Sequence, residues 1–232
     1  MPSSDGPAHE AIDPVLDTEL IIKLSLIAII LLVALPIHEF AHALTAYRMG
    51  DGTARLLGRL TLNPLVHFDP VGGTLLILTL LSGSGFVVGW AKPTPVNPAN
   101  LLGGRRSDAL VAFAGPVSNL VLATAAAIPF RVMFATGVDA PLVLGILYLF
   151  IQINVSLMIF NLIPLPPLDG SHVLLAVVDP RTSWRLRAFL TQYGSLILLG
   201  LILIPSLTNL PSPLGIVFEV IARPMISLLT GL

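Results

Sequence analysis

The sequence contains no cysteine, which excludes disulfide bonds and metal sites built from thiolates. Charged residues are also scarce: they make up 11% of the chain, whereas a soluble globular domain carries about 25%. The formal net charge of −1 provides no basic excess of the kind that binds nucleic acid. The first residues are polar and acidic, and they lack the basic segment that opens a cleavable signal peptide. The charge therefore gives no hint of nucleic-acid binding, so we expect no nucleic-acid partner, and the scarcity of charge argues against a soluble domain.

Hydrophobic residues are abundant instead, at 55% of the 232 residues, with a mean hydropathy of +0.91. A transmembrane helix needs about 20 mostly apolar residues. We therefore predict an all-α membrane protein, a polytopic transmembrane helix bundle that forms a single membrane-embedded domain over residues 19–232 after a polar tail over residues 1–18. Short alternating segments at Ala54–Leu62 predict a small strand pair. The apolar runs are Leu20–Ala46, Val71–Trp90, Leu110–Phe134, Pro141–Ile163, Ala188–Ile204 and Leu214–Leu229.

The basic residues predict an orientation, since short loops rich in Lys and Arg stay in the cytoplasm. This rule places the N-terminus outside and the first helix running inward. Val71–Trp90 has basic loops on both of its sides, so we expect it to re-enter the membrane and turn back at Ser82–Gly85; a complete span is the alternative. The basic residues of the three loops are Arg48, Arg55, Arg59, Lys92, Arg105, Arg106, Arg181, Arg185 and Arg187.

The first apolar run ends in the motif "HEFAH", which places ionisable groups where lipid makes them costly. His38 and His42 are four residues apart and therefore face the same side of a helix, where two imidazoles can bind one Zn²⁺. Glu39 lies beside them and can act as the general base on a water bound to the metal. A structural polar cluster is the alternative, but the apolar background favours a metal site.

A catalytic zinc site usually has three protein ligands, so a third is needed. Asp169 lies in "NLIPLPPLDG", where prolines interrupt the helix and Gly170 permits a tight bend. The predicted topology brings Asp169 to the cytoplasmic half of the membrane, at the depth of His42. The weaker candidates are His67, Asp69, His172 and Glu219, whereas His9 lies in the polar tail and is expected to be solvated.

Together with "HEFAH", the motifs "AGPVSN" (Ala114–Asn119) and "FNLIPLPPLDG" (Phe160–Gly170) resemble the site-2 protease family of intramembrane zinc metalloproteases. "GWAKPTPVNPANL" (Gly89–Leu101) is similar to a segment of its compact prokaryotic members, which lack PDZ and nucleotide-sensing domains. The resemblance implies one Zn²⁺ per chain and assigns roles to matching residues. These are metal ligation for His38, His42 and Asp169, base and proton shuttle for Glu39, substrate or oxyanion contact for Asn161, and packing against the site for Asn119. We predict Glu39, Asn161 and Asn119 as the catalytic residues.

We expect an intramembrane zinc endopeptidase of the cell membrane that cleaves transmembrane segments of membrane proteins near the cytoplasmic face. The alternative is a metal transporter or sensor; a transporter would be expected to show several metal sites or a repeated half. Trp90–Leu101 is rich in proline and extended, and either pairs with an unwound substrate or covers the metal. The expected partners are a transmembrane substrate and the lipid bilayer. For the amides of Asn119 and Asn161, hydrogen bonding between helices is the alternative role, and we expect it for Asn154.

Overall fold

Five helical stretches are long and apolar enough to cross a membrane in the computed structural model, which describes residues 14–82, 87–208 and 210–232. They confirm the prediction of an all-α membrane protein, because four of the six predicted apolar runs fall within them and a fifth, Pro141–Ile163, extends past one of them by only two residues, whereas Val71–Trp90 falls within none. The five stretches are Thr18–Arg48, Arg105–Ala135, Pro141–Asn161, Pro180–Pro205 and Pro213–Thr230.

The helices follow one another with short connections. In chain order they are α1 (Pro14–Ala28), a π-helical segment (Ile29–Ala34), α2 (Leu35–Arg48), α3 (Thr53–Leu56), α4 (Pro64–His67), α5 (Pro70–Ser82), a 3₁₀ turn (Pro98–Asn100), α6 (Arg105–Ala135), α7 (Pro141–Asn161), α8 (Gly170–Val177), α9 (Pro180–Thr208), α10 (Pro213–Val217), a second π-helical segment (Phe218–Ala222) and α11 (Arg223–Thr230).

Proline accounts for both π-helical segments. Ile29–Ala34 ends two residues before Pro36, and Phe218–Ala222 ends two residues before Pro224. A proline ring has no N–H to donate and collides with the carbonyl four residues earlier, so the preceding turn widens. The first widened turn lies directly before α2, the helix that carries His38 and His42.

Helix α6 is the centre of the bundle, and it packs against α2, α7 and α8. Small residues such as Ala123 and Ala127 let α7 approach closely, as is usual between membrane helices. Ile151 and Val155 of α7 fill the interface and are fully buried. Since α6 touches both α2 and α8, it is the helix that brings their polar residues together.

Helix α5 has 13 residues and is therefore about 20 Å long, less than the roughly 30 Å of a bilayer core. The described chain resumes at Val87 and runs back beside α5, where the Val88 N–H donates to Thr79 Oγ1 at 3.1 Å. The Lys92 N–H then donates to the His67 carbonyl at 2.8 Å. The chain thus returns to the level at which α5 begins.

The structure contains none of the predicted strands among its described residues. The strand pair at Ala54–Leu62 is wrong, since Thr53–Leu56 forms a helical turn and residues 57–62 form turns and bends in the structure. Trp90–Leu101 forms no helix before its 3₁₀ turn, and Asn97 directly before that turn is extended, but no strand is assigned to this segment or to any other described residue. Apart from Ser82, the turn predicted at Ser82–Gly85 lies outside the described residues, as does the tail up to residue 13.

Candidate metal centre

Three side chains converge between α2 and the start of α8. His38 and His42 are buried one helical turn apart, with 3.0 Å between their Nε2 atoms. Asp169 Oδ2 lies 3.2 Å from His38 Nε2 and 3.4 Å from His42 Nε2. These residues form a group that can hold a metal ion, each offering one ligand atom. The structure therefore brings together the three ligands that the sequence predicts.

The outer ring nitrogens of both histidines have oxygen partners. His38 Nδ1 lies 2.6 Å from Asn119 Oδ1, and His42 Nδ1 lies 2.7 Å from the Val111 carbonyl. Because these oxygens accept the Nδ1 protons, both Nε2 lone pairs point inward at Asp169. Lone pairs that face one another repel unless a cation lies between them. Two imidazoles and a carboxylate are also a ligand set of catalytic zinc sites, so the residues fit such a metal.

Helix α6 holds the two rings in place. Gly115 lies against both imidazoles, and a Cβ at this position would collide with His38 and His42. Asn119 is fully buried behind His38, and its amide donates to Asn154 Oδ1 at 3.0 Å. Asn119 thus orients His38 instead of facing substrate space, and Asn154 makes the interhelical hydrogen bond that we expect from the sequence.

Replacing Asn119 with alanine is expected to weaken metal binding by about 10- to 100-fold, the usual cost of losing a residue that orients a ligating histidine. The affinity is measured with Zn²⁺ in competition with a chelator. Thr124→Ala is the matched control, because Thr124 lies on the same helix and its hydroxyl donates to the backbone of that helix, at Leu120 O. Unchanged affinity in Asn119→Ala would refute the orienting role.

A cavity of about 510 Å³ opens beside the three ligands, and Glu39, Asn161 and His172 line it. The Glu39 carboxylate accepts a hydrogen bond from the Thr94 N–H at 2.7 Å. The Asn161 amide donates to the Leu157 carbonyl at 3.0 Å, which uses one of its two N–H groups. Of the three residues predicted to act in catalysis, Glu39 and Asn161 line the cavity, whereas Asn119 does not.

Helix α8, which follows Asp169, is attached to the first turn of α6. His172 Nδ1 lies 3.0 Å from Asp108 Oδ2, and this hydrogen bond raises the pKa of His172 above its ordinary value. Arg105 donates to the carbonyls of Leu175 and Val178 at the end of α8, at 2.6 and 2.5 Å. These contacts fix the helix that presents Asp169.

The other weaker ligand candidates have structural roles. His67 is buried, and its Nε2 lies 2.8 Å from the Thr61 carbonyl. Asp69 caps α5 by accepting two backbone N–H groups, from Val71 and Gly72. Glu219 pairs with Arg223 at 3.2 Å on the exposed face of the last span. None of them joins the metal-binding group found among the described residues, and His9 lies outside those residues.

Sequence reasoning missed four groups around this site: Thr94, Asp108, Gly115 and the Val111 carbonyl. Thr94 lies in the proline-rich segment, Asp108 follows Arg105 and Arg106, and Gly115 lies in the motif "AGPVSN", but none of these patterns indicates a contact with the metal-binding group. The carbonyl of Val111 carries no side-chain signal at all, because every residue has one. The proline on each side of Thr94 is the one available hint, since it isolates a single backbone donor.

Comparison with known proteins places the chain in a family. The model of "Peptidase family M50" matches residues 129–204. The chain is 43% identical over 187 residues to "Putative zinc metalloprotease YwhC" of Bacillus subtilis, covering 77% of this chain and 80% of that protein. It is 35% identical over 188 residues to "Putative zinc metalloprotease Rip2" of Mycolicibacterium smegmatis, covering 77% of this chain and 66% of that protein. No solved structure matches. The predicted resemblance is thereby confirmed, and the chain belongs to peptidase family M50, the site-2 proteases.

Proposed function

We propose that this chain is an intramembrane zinc endopeptidase that cleaves transmembrane segments of membrane-protein substrates. The observation that carries the proposal is the convergence of His38, His42 and Asp169 beside Glu39, inside a bundle of apolar helices. The relatives' names include zinc, and the ligand set agrees with that metal. One Zn²⁺ per chain is expected.

The chain's own residues supply positioning and proton transfer. Zinc contributes Lewis acidity, which polarises a carbonyl and makes water reactive at neutral pH. Glu39 takes the proton of the attacking water on its carboxylate and delivers it to the leaving amine. Asn161, which still has one N–H to donate, hydrogen-bonds the carbonyl oxygen of the scissile peptide. Asn119 acts indirectly, by holding His38.

A substrate helix must unwind before its peptide bonds become accessible, because its own hydrogen bonds and side chains shield them. Trp90–Leu101 has no helix or strand before its 3₁₀ turn, and Trp90, Pro93 and Val96 line the cavity. We propose that this segment also offers an edge to the extended substrate, as in β-augmentation. A role as a cover over the metal is the alternative for the same segment.

The membrane placement is part of the proposal. Residues 19–232 form one membrane-embedded domain, with the metal on the cytoplasmic side and the N-terminus outside. Helix α5 is too short to cross, and the chain returns along it to Lys92, which supports a re-entrant segment. A re-entrant backbone must be covered by protein or line a water-filled cavity, and Gly89, Trp90 and Ala91 line the cavity beside the metal-binding group.

A metal transporter or sensor is the alternative function. Among the described residues, one group of possible metal ligands is found, whereas a transport path would be expected to show more than one. Glu39, beside the ligands, also has no necessary role in transport.

The proposal is tested with the purified chain reconstituted in liposomes, by metal analysis and by cleavage of model transmembrane peptides. The expected result is about one zinc per chain and cleavage inside the apolar segment. Zinc binding without cleavage of any peptide, together with zinc flux across the vesicle wall, would favour the transporter instead.

The orientation is tested with single cysteines, since the native chain has none. The variants are Arg55→Cys, Lys92→Cys and Val138→Cys, at three exposed positions. An impermeant thiol reagent applied outside intact cells is expected to label position 138 and to spare positions 55 and 92, because the basic loops stay inside. Labelling of 92 but not of 55 would show that the segment between them crosses fully, and the re-entrant proposal would be abandoned.

A further inference from the structure

Thr94 lies between two prolines in Pro93–Thr94–Pro95, a tripeptide that contains one backbone N–H because proline has none. That N–H donates to Glu39 Oε2 at 2.7 Å. The Thr94 hydroxyl donates to the backbone carbonyl of Glu39 at 3.0 Å. A single residue therefore contacts both the carboxylate and the main chain of the glutamate.

The proline-rich segment Trp90–Leu101, called the strap below, is anchored on both sides of Thr94. On one side, the Lys92 N–H donates to the His67 carbonyl at 2.8 Å. On the other side, the Asn97 N–H and the Asn100 amide donate to the two carboxylate oxygens of Asp51, at 2.7 and 3.0 Å. Asp51 follows the end of α2, the helix that carries Glu39. The second anchor therefore ties Thr94 to the end of that helix, and the first ties it to α4, which packs against α2.

Asp51 is fully buried, and it remains a strong acceptor. Burial alone raises the pKa of its carboxyl, but hydrogen bonds from Thr53, Asn100 and Asn97 outweigh this effect and hold the pKa below its ordinary value. The Leu102 N–H adds a further link, to the Met49 carbonyl at 2.8 Å. An ionised buried carboxylate with several donors makes this end of the strap rigid.

These contacts leave the two oxygens of Glu39 unequal. Oε2 accepts the Thr94 N–H, and the described residues provide no hydrogen-bond partner for Oε1. We propose that Thr94 is a positioning residue: its amide and hydroxyl hold Glu39 in one rotamer, so that one carboxylate oxygen stays available for proton transfer. The inference deepens the proposed peptidase function and rests on it. It assigns the strap a role toward the enzyme's own base, separate from any contact with substrate.

The first test needs no activity. Thr94 carries the one amide within Pro93–Thr94–Pro95, because proline has no N–H, so hydrogen–deuterium exchange read at single-residue resolution distinguishes the Thr94 amide from those of the rest of the strap. Loss of a hydrogen bond to a charged acceptor is expected to speed exchange at Thr94 about 10-fold or more in Glu39→Ala. Glu219→Ala is the matched control and is expected to leave Thr94 unchanged. Equal exchange in the wild type and Glu39→Ala would overturn the proposal.

The second test separates positioning from substrate binding. Thr94→Val keeps the shape and the N–H but loses the hydroxyl, whereas Thr94→Ser keeps both donors. We expect kcat to fall about fivefold in Thr94→Val, with KM and zinc content unchanged, and to recover in Thr94→Ser. A raised KM with unchanged kcat, or equal losses in both variants, would overturn the proposal. A wild-type chain that cleaves no peptide would refute the peptidase function. The exchange measurement would still show whether the Thr94 N–H donates to Glu39.

Discussion

Glu39→Gln is expected to lower peptide cleavage by about 10²- to 10⁴-fold, the range that general acid–base catalysis contributes. Glutamine has the shape of glutamate, but its amide cannot accept the proton of the attacking water. His38, His42 and Asp169 are unchanged in this variant, so zinc stays bound. The side-chain oxygen of glutamine can still accept the Thr94 N–H. Cleavage of a model transmembrane peptide and metal analysis are measured on the same preparation.

Glu219→Gln provides the control for this experiment. Glu219 is exposed and pairs with Arg223 one helical turn away. It does not belong to the metal-binding group of His38, His42 and Asp169. Its loss is expected to leave both cleavage and zinc content at the wild-type level, because exposed ion pairs contribute little. Undiminished cleavage by Glu39→Gln would show that another group moves the proton, and the mechanism proposed for Glu39 would be wrong.

Asp169→Ala is expected to remove zinc and activity together. Loss of a ligand should cost more than the 10- to 100-fold that residues behind the ligands cost. The Asp169 side chain makes no capping hydrogen bond to α8, so its removal should leave that helix intact. Zinc content after dialysis against a weak chelator, peptide cleavage and helical content by circular dichroism are the three measurements.

Asp179→Ala is the control for Asp169. Asp179 precedes α9, and its carboxylate accepts N–H groups from Arg181 and Thr182 at 3.0 Å, away from the metal group. This variant is expected to retain zinc. In a metal-bound experimental structure, the Asp169 oxygen is expected within about 2.0–2.2 Å of zinc. A structure in which His38 and His42 share the metal with another side chain, with Asp169 remote, would contradict the assignment.

Much of the site could be predicted because its strongest signals are local. His38 and His42 share a face owing to the helical period, whatever the rest of the chain does. Predicting Asp169 as a ligand needed two further observations: the order of the spans and the proline-rich break that ends a helix near Asn161. The prediction failed at Ala54–Leu62, where a short alternating pattern indicated strands but the chain forms a helical turn. Patterns this short do not distinguish the two structures.

The amino-acid sequence alone determines the apolar spans, the metal-binding motif and which loops hold most of the basic residues, because hydropathy and helical period act over short stretches. The support of the site depends on packing between distant residues: Asn119 reaches His38 across 81 positions, Val111 reaches His42 across 69, and Thr94 reaches Glu39 across 55. Hydrogen bonds of this kind form only where α6 and the strap approach α2. A backbone N–H or carbonyl looks the same at every position of a sequence, so its partner becomes known only from the folded chain.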